Sequence, residues 1–314
     1  MEFVCGNIDR LITVGIRAMG VPRKNMAKLY EAGAFQGPIS LRIVHALEEH
    51  PHARVGIFTG AAVPDKFPLG ENDGPLGSAA LARCLDQLGY RVSVYTEEEC
   101  VGGVKTAQKV LNSNVPVIAL ERGPGKQYDE IANELDVAIS IEKLGANSKG
   151  KLHSLTGCLR NGIRAEMDDI ILQMNGMGKL TIGIGDGGNE IGFGNLYEQA
   201  RYYVPNATTC QCGCGGGTIT TTRVSICYPV AISNWGAYGI MAALASFHKR
   251  PELALTPQEE HDMLMAGVEY GLVDGGNGLH RYGLDGIDGE ASVACVRLLQ
   301  EIVNVSLKTV HRDF

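Results

Sequence analysis

The sequence predicts an α/β protein: three layers, with a mostly parallel sheet, helices on both faces and a helical N-terminal extension. Two observations carry this. Short runs of β-forming residues alternate with segments whose apolar residues recur at helical spacing. The first such strand–helix–strand group is also close enough in sequence to be a βαβ unit, which implies parallel pairing.

The elements follow in order. Residues 7–19 carry Ile8, Leu11, Ile12 and Ile16 at helical spacing. Pro38 suits the first turn of a second helix running to Glu49, with Ile39, Ile43, Val44 and Leu47 on one side. Residues 54–59 form a strand and are followed by a long loop. Asn72 and Asp73 then precede a helix that starts at Gly74 and Pro75 and stops at Gly89. Further strands are expected over 91–96, 115–121, 137–141, 180–184 and 224–232, and helices over 104–111, 127–134, 159–174 and 235–247. Thr256 caps a helix that Pro257 opens and Gly271 ends, and a last helix covers 291–303. No internal repeat or Ser/Pro linker interrupts this pattern. The expectation is a single α/β domain over 1–314, with a helical extension at 1–52 and a sheet-containing core at 53–314.

Composition narrows the function. With 28 Lys and Arg against 35 Asp and Glu, the net charge is −7, which gives no electrostatic support for nucleic-acid binding. No stretch of 18 apolar residues exists, so no membrane span is expected. The start MEFVCGNIDRLI lacks the basic and apolar regions of a signal peptide. Nine cysteines, scattered from Cys5 to Cys295, fit reduced thiols in the cytoplasm better than a disulfide framework. The expected partner is a small molecule, and the sequence allows a homo-oligomer.

Polar residues gather in four loops that follow expected strands, the edge at which open α/β sheets bind ligands. The richest is TIGIGDGGNEIGFG, residues 181–194. Asp186 and Glu190 supply hard oxygens and Asn189 a carbonyl, suited to Mg²⁺, Mn²⁺ or Ca²⁺ rather than zinc. The plainer reading is a glycine-rich turn with solvated acids. A GDGxND loop of haloacid-dehalogenase-type phosphatases looks similar, but the DxDx[TV] nucleophile those enzymes need is missing from the sequence. Gly183, Gly185 and Gly188 trace a dinucleotide pattern, yet Asp186 would then sit beside a pyrophosphate, so no nucleotide cofactor is expected.

In the second loop, residues 59–77, the free N–H groups around Gly74 favour an anion unless Asp73 only caps the helix. In the third, Glu121 and Arg122 end a strand, where the guanidinium can hold a substrate carboxylate or form an internal ion pair. In the fourth, Ser233 and Asn234 precede Trp235, which is either core or site. Cys210, Cys212 and Cys214 form a CxCxC run. Structural zinc sites usually use CxxC pairs, and no His lies near in sequence, which leaves Cys227 as the fourth ligand on offer. A loop of small residues explains the run equally well.

Five stretches in this order, TGAAVPDKFPLGENDGPLGSAALARCLDQLGYRV, VIALERGPG, TIGIGDGGNEIGFGN, AISNWGAYGI and LVDGGNGLHRYGLDGIDG, resemble the D-glutamate cyclase C-terminal-domain family over roughly residues 7–305. The resemblance implies a lyase that converts D-glutamate to 5-oxo-D-proline and water. Asp186, Glu190 and Asn189 would be the catalytic residues. Asp186 or Glu190 would act as base or hold a divalent cation, Mg²⁺ or Mn²⁺. Asp73, Gly74, Glu121, Arg122, Ser233 and Asn234 would bind the acidic amino acid, with Arg122 on its α-carboxylate. Backbone N–H groups at Gly74 to Gly77 would face the oxyanion. Within the family the domain also follows a second, hydro-lyase-like domain in animal mitochondria. The alternatives are therefore a binding or regulatory module for a small carboxylate without its catalytic partner, or another lyase or hydrolase on a related amino acid.

Overall fold

The computed structural model describes residues 1–17 and 25–309. Three helices come first, α1 (Glu2–Ile12), α2 (Met26–Gly33) and α3 (Ile39–Glu48). Strands and helices then alternate: β1 (Arg54–Phe58), α4 (Pro75–Gln87), β2 (Arg91–Glu97), α5 (Val101–Val110), β3 (Val117–Leu120), α6 (Lys126–Glu134) and β4 (Val137–Ile141). They continue with α7 (Asp168–Gly176), β5 (Leu180–Gly185), α8 (Tyr197–Tyr203), β6 (Ile226–Pro229) and α9 (Ser233–His248). After α10 (Pro257–Tyr270), a small hairpin of β7 (Gly283–Leu284) and β8 (Ile287–Asp288) leads into α11 (Gly289–Ser306).

β1 to β6 form one parallel sheet in the order β3-β2-β1-β4-β5-β6. Alternate strand residues feed two apolar cores, as the two-residue period of a strand requires. Val55, Ile57, Ile139, Ile182 and Ile184 pack with α1, α3, α4, α9 and α11 on one face. Phe58, Ala138 and Cys227 pack with α2, α6, α7 and α8 on the other. The three expected layers are present.

Three expectations change. Residues 159–167 are not helical: α7 begins at Asp168. Gly162 has φ 72°, and local side chains claim the backbone there. Asn161 Oδ1 accepts from Leu152 N, and the Glu166 carboxylate accepts from Gly162 N and Asn161 Nδ2. The first helix covers residues 2–12 rather than 7–19, and Met19 lies outside the described residues. The strand expected over 224–232 is only Ile226–Pro229, because the chain leaves the sheet at Val230 to enter α9. Among the described residues, no helix is long and apolar enough to cross a membrane.

Candidate functional site

The strand order reverses direction between β1 and β4, and ligands in open α/β sheets bind in the crevice beyond the strand ends at such a point. Here the loops after β1, β4, β5 and β6 meet. Two helices start at this crevice and cap one another. Asp73, two residues before α4, does not cap α4. Its Oδ1 accepts from Asn234 N (2.8 Å) and its Oδ2 from Ser233 N (3.1 Å), both in the first turn of α9. Asn234 Oδ1, in turn, accepts from Gly74 N and Gly77 N at the start of α4 (2.9 Å each). Each helix thus satisfies the unpaired donors of the other. The close fit explains Gly77, since a Cβ there would lie 2.6 Å from Asn234 Oδ1.

Above this junction is a pocket of about 260 Å³, lined by side chains of both signs. Glu142, Glu190 and Asp285 bring carboxylates, Arg17, Arg160 and Arg164 bring guanidinium groups, and Asn189 brings an amide. The GDGGNE loop reaches it by folding back over its own strand. Gly183 permits that return, because a Cβ there would lie 2.2 Å from Ile191 O. Of Gly183, Gly185, Gly187 and Gly188, only Gly188 has a positive φ (94°). Asn189 Nδ2 donates to His153 O (2.8 Å), while its buried Oδ1 has no hydrogen-bond partner among the described residues. Glu190 Oε2 accepts from Gly188 N (2.8 Å). Glu142 and Asp285 hold left-handed backbone conformations, with φ 53° and 45°, uncommon for residues with side chains and frequent at functional sites.

Beneath the pocket, oxygens of Asp73, Glu142 and Asp186 all lie within 4.8 Å of one another. Arg17 binds the buried Asp186 (2.5 Å) and pairs with Asp285, joining the buried cluster to the pocket wall. Ser233 Oγ donates to Glu142 Oε2 (2.5 Å). Burial, then the charges of Glu142 and Asp186, hold the Asp73 carboxyl well above the usual range, against the lowering effect of the Asn234 N–H. Alongside, Lys143 and Glu97 form a fully buried ion pair. Burial alone would raise Glu97, but Lys143 and Arg164 outweigh it and keep the carboxyl below the ordinary range. Arg164 Nη1 also donates to Gly60 O (3.1 Å).

The structure brings together most of the residues marked from the sequence, in altered roles. Asn189 and Glu190 line the pocket and Asp186 lies under it. Asp73, Gly74, Ser233 and Asn234 build the helix junction. The N–H groups of Gly74 and Gly77 face Asn234, not an oxyanion. Trp235 is core: its Nε1 donates to Ser292 Oγ (3.0 Å). Glu121 and Arg122 are elsewhere, because β3 is the far edge of the sheet. Arg122 pairs with Glu99 and lines a separate cavity of about 230 Å³. Asp186 groups with Asp73 and Glu142 rather than with Glu190. Cys227 is buried in β6, and the side chain that joins Cys210, Cys212 and Cys214 is His153. Sequence reasoning missed Arg17, Glu142, Arg160, Arg164 and Asp285.

Residues 23–300 match the model of a family described as D-glutamate cyclase-like, C-terminal. The human protein "D-glutamate cyclase, mitochondrial" is 25% identical over 211 residues, which cover 62% of this chain and 33% of the human one. The chain therefore spans about a third of the length of that relative. Among solved structures, an exopolyphosphatase-related protein from Bacteroides fragilis aligns with TM-score 0.38 and 10% identity over 88% of this chain and 61% of its own, too loosely to bear on function.

Proposed function

We propose that this chain, which belongs to the D-glutamate cyclase-like, C-terminal family, is a lyase that converts D-glutamate to 5-oxo-D-proline and water. One observation carries the reading: a pocket of about 260 Å³ at the switch point has both carboxylates and guanidinium groups in its lining. Its size is below the roughly 300–1,000 Å³ of sites for drug-sized ligands, and a single amino acid with charges of both signs matches its lining.

In this reading, Arg160 and Arg164 hold a substrate carboxylate. Glu142, Glu190 and Asp285 surround the ammonium, and one of them takes its proton to free the amine. The nitrogen then attacks the γ-carboxyl carbon, the C–O bond breaks and the oxygen leaves as water with the protons released from nitrogen. Asn189 Oδ1 accepts from the substrate N–H and so fixes the folded-back conformer. That positioning is the main source of acceleration available to a ring closure. Asp73, Glu142 and Asp186 form an all-oxygen donor set of the kind that holds Mg²⁺ or Mn²⁺. Such an ion, when bound, supplies positive charge that polarises a carboxyl group.

A second reading is a carboxylate-binding or regulatory module, since a pocket lined by charges of both signs also suits binding without turnover. An NMR time course separates the two. Purified chain is mixed with D-glutamate, L-glutamate and both 5-oxoprolines, with EDTA or with Mg²⁺ or Mn²⁺, beside the Asp186→Ala variant. Stereospecific interconversion lost in the variant is expected. Thermal stabilisation by D-glutamate without conversion would replace the lyase reading with the binding one. All nine cysteines are free, which supports a reducing compartment such as the cytoplasm, and cell fractionation tests that placement.

A further inference from the structure

The CxCxC run belongs to a second cluster, beside the pocket and distinct from it. Cys210 Sγ lies 3.6 Å from Cys212 Sγ and 3.5 Å from Cys214 Sγ, and His153 Nε2 lies 3.2 Å from Cys212 Sγ. All four ligand atoms fall within 4.8 Å of one another. Four ligands around a tetrahedral zinc with Zn–S bonds of about 2.3 Å would be separated by about 3.8 Å, so the sulfurs already have close to that spacing. They are too far apart to be bonded: a disulfide holds its sulfurs about 2.05 Å apart.

The surroundings match a metal–thiolate centre. Gly216 N (3.4 Å) and Asn147 Nδ2 (3.5 Å) donate to Cys214 Sγ, as outer-shell donors do to bound thiolates. The other ring nitrogen of His153, Nδ1, lies 3.4 Å from Asn147 Nδ2, so the same asparagine stands beside both the imidazole and Cys214. Three soft sulfurs and one nitrogen select zinc over Mg²⁺ or Ca²⁺, and four protein ligands leave no open position for chemistry. We propose that His153, Cys210, Cys212 and Cys214 bind a structural zinc ion, which displaces the thiol protons and clamps the 147–156 loop to the 206–217 loop.

The clamp lies one bond from the pocket. The carbonyl of His153 accepts from Asn189 Nδ2, and the next three residues, Ser154, Leu155 and Thr156, line the pocket wall. Asn147 ties the same two loops, donating from Nδ2 to Gly217 O (2.7 Å).

The test is elemental analysis of the full chain, purified without chelators or an affinity metal, followed by Co²⁺ exchange. One zinc per chain is expected. The Co²⁺ form should show intense thiolate charge-transfer bands and the strong visible bands of a tetrahedral site. Cys212→Ser, at an exposed position, should lose stoichiometric zinc while circular dichroism reports a folded chain. If that variant does not fold, the wild-type Co²⁺ spectrum decides alone. Any of three results overturns the proposal: a folded chain that takes up neither Zn²⁺ nor Co²⁺, a Cys210–Cys214 disulfide in protein prepared anaerobically, or full zinc retention in folded Cys212→Ser.

Discussion

Asp73 and Asp186 are neighbouring buried carboxylates with different company. Asp73 accepts three backbone N–H groups, from Gly74, Ser233 and Asn234. Asp186 faces Arg17, which also reaches Asp285 on the pocket wall. The helix junction around Asp73 consists of polar groups matched to backbone donors, an arrangement that fixes two helix starts whether or not a cation is bound. The pocket instead gathers charged side chains, two of them on left-handed backbone, at the edge where a ligand would enter. The contrast separates polar residues that hold the fold from polar residues available for chemistry, even where they touch.

Variants can sharpen or break this division. Glu142→Gln keeps an acceptor for Ser233 Oγ but removes one charge from the pocket. Turnover of D-glutamate should fall about 10²- to 10⁴-fold, with Tm unchanged or higher. The same variant carries a pH signature. A carboxyl raised in the folded state makes the folded chain hold its proton longer than the unfolded one. Stability is therefore lost as pH rises from about 4 through the raised value. Glu142 is the foremost of the three charges that raise Asp73, ahead of Asp186 and Glu71, so the Tm advantage of the variant over wild type should be larger at about pH 8 than at about pH 5. An advantage that shrinks with pH would break the electrostatic account of the cluster.

Asp73→Ala should act through the fold. It leaves two buried N–H groups, those of Ser233 and Asn234, without an acceptor, while Gly74 N keeps Asn234 Oδ1, and costs roughly 2–4 kcal/mol in chemical denaturation; a stable but inactive Asp73→Ala would make its place in the cation donor set the dominant role. Arg160→Gln should raise KM roughly 10- to 100-fold, the value of a charge-assisted hydrogen bond, with a smaller change in kcat. The smallest effect belongs to Arg122→Ala. Its pair with Glu99 is partly exposed, and such pairs contribute little, so kcat, KM and Tm should stay close to wild type.

The same sequence rule explains why Asp186 lies under the pocket and why Arg122 lies away from it. Polar residues after an apolar strand mark the ligand edge of a sheet, but only the strands beside the switch point matter. Their order depends on tertiary packing that the local pattern does not record. Applied to residues 137–141, the rule would have found Glu142. Asp285 carried a readable sign too, an Asp-Gly pair between apolar residues, the signature of the two-residue hairpin it forms with Gly286. Arg160 and Arg164 were concealed by apolar spacing that imitates a helix over 159–174. Arg17, just after α1, and His153, 57 residues before Cys210, carried no local sign. The alternation of strands and helices was legible because each apolar run is itself a local property.

The mutual capping of α4 and α9 also bears on how the chain folds. Their starting residues are separated by about 160 positions, so neither helix gains its cap until most of the intervening sheet is in place. Contacts that distant slow folding, because a long loop must close before they form. They also bind opening events together. The amides of Gly74, Gly77, Ser233 and Asn234 should therefore exchange with deuterium at one common, late rate, as parts of a single cooperative unit joining the two halves of the sheet.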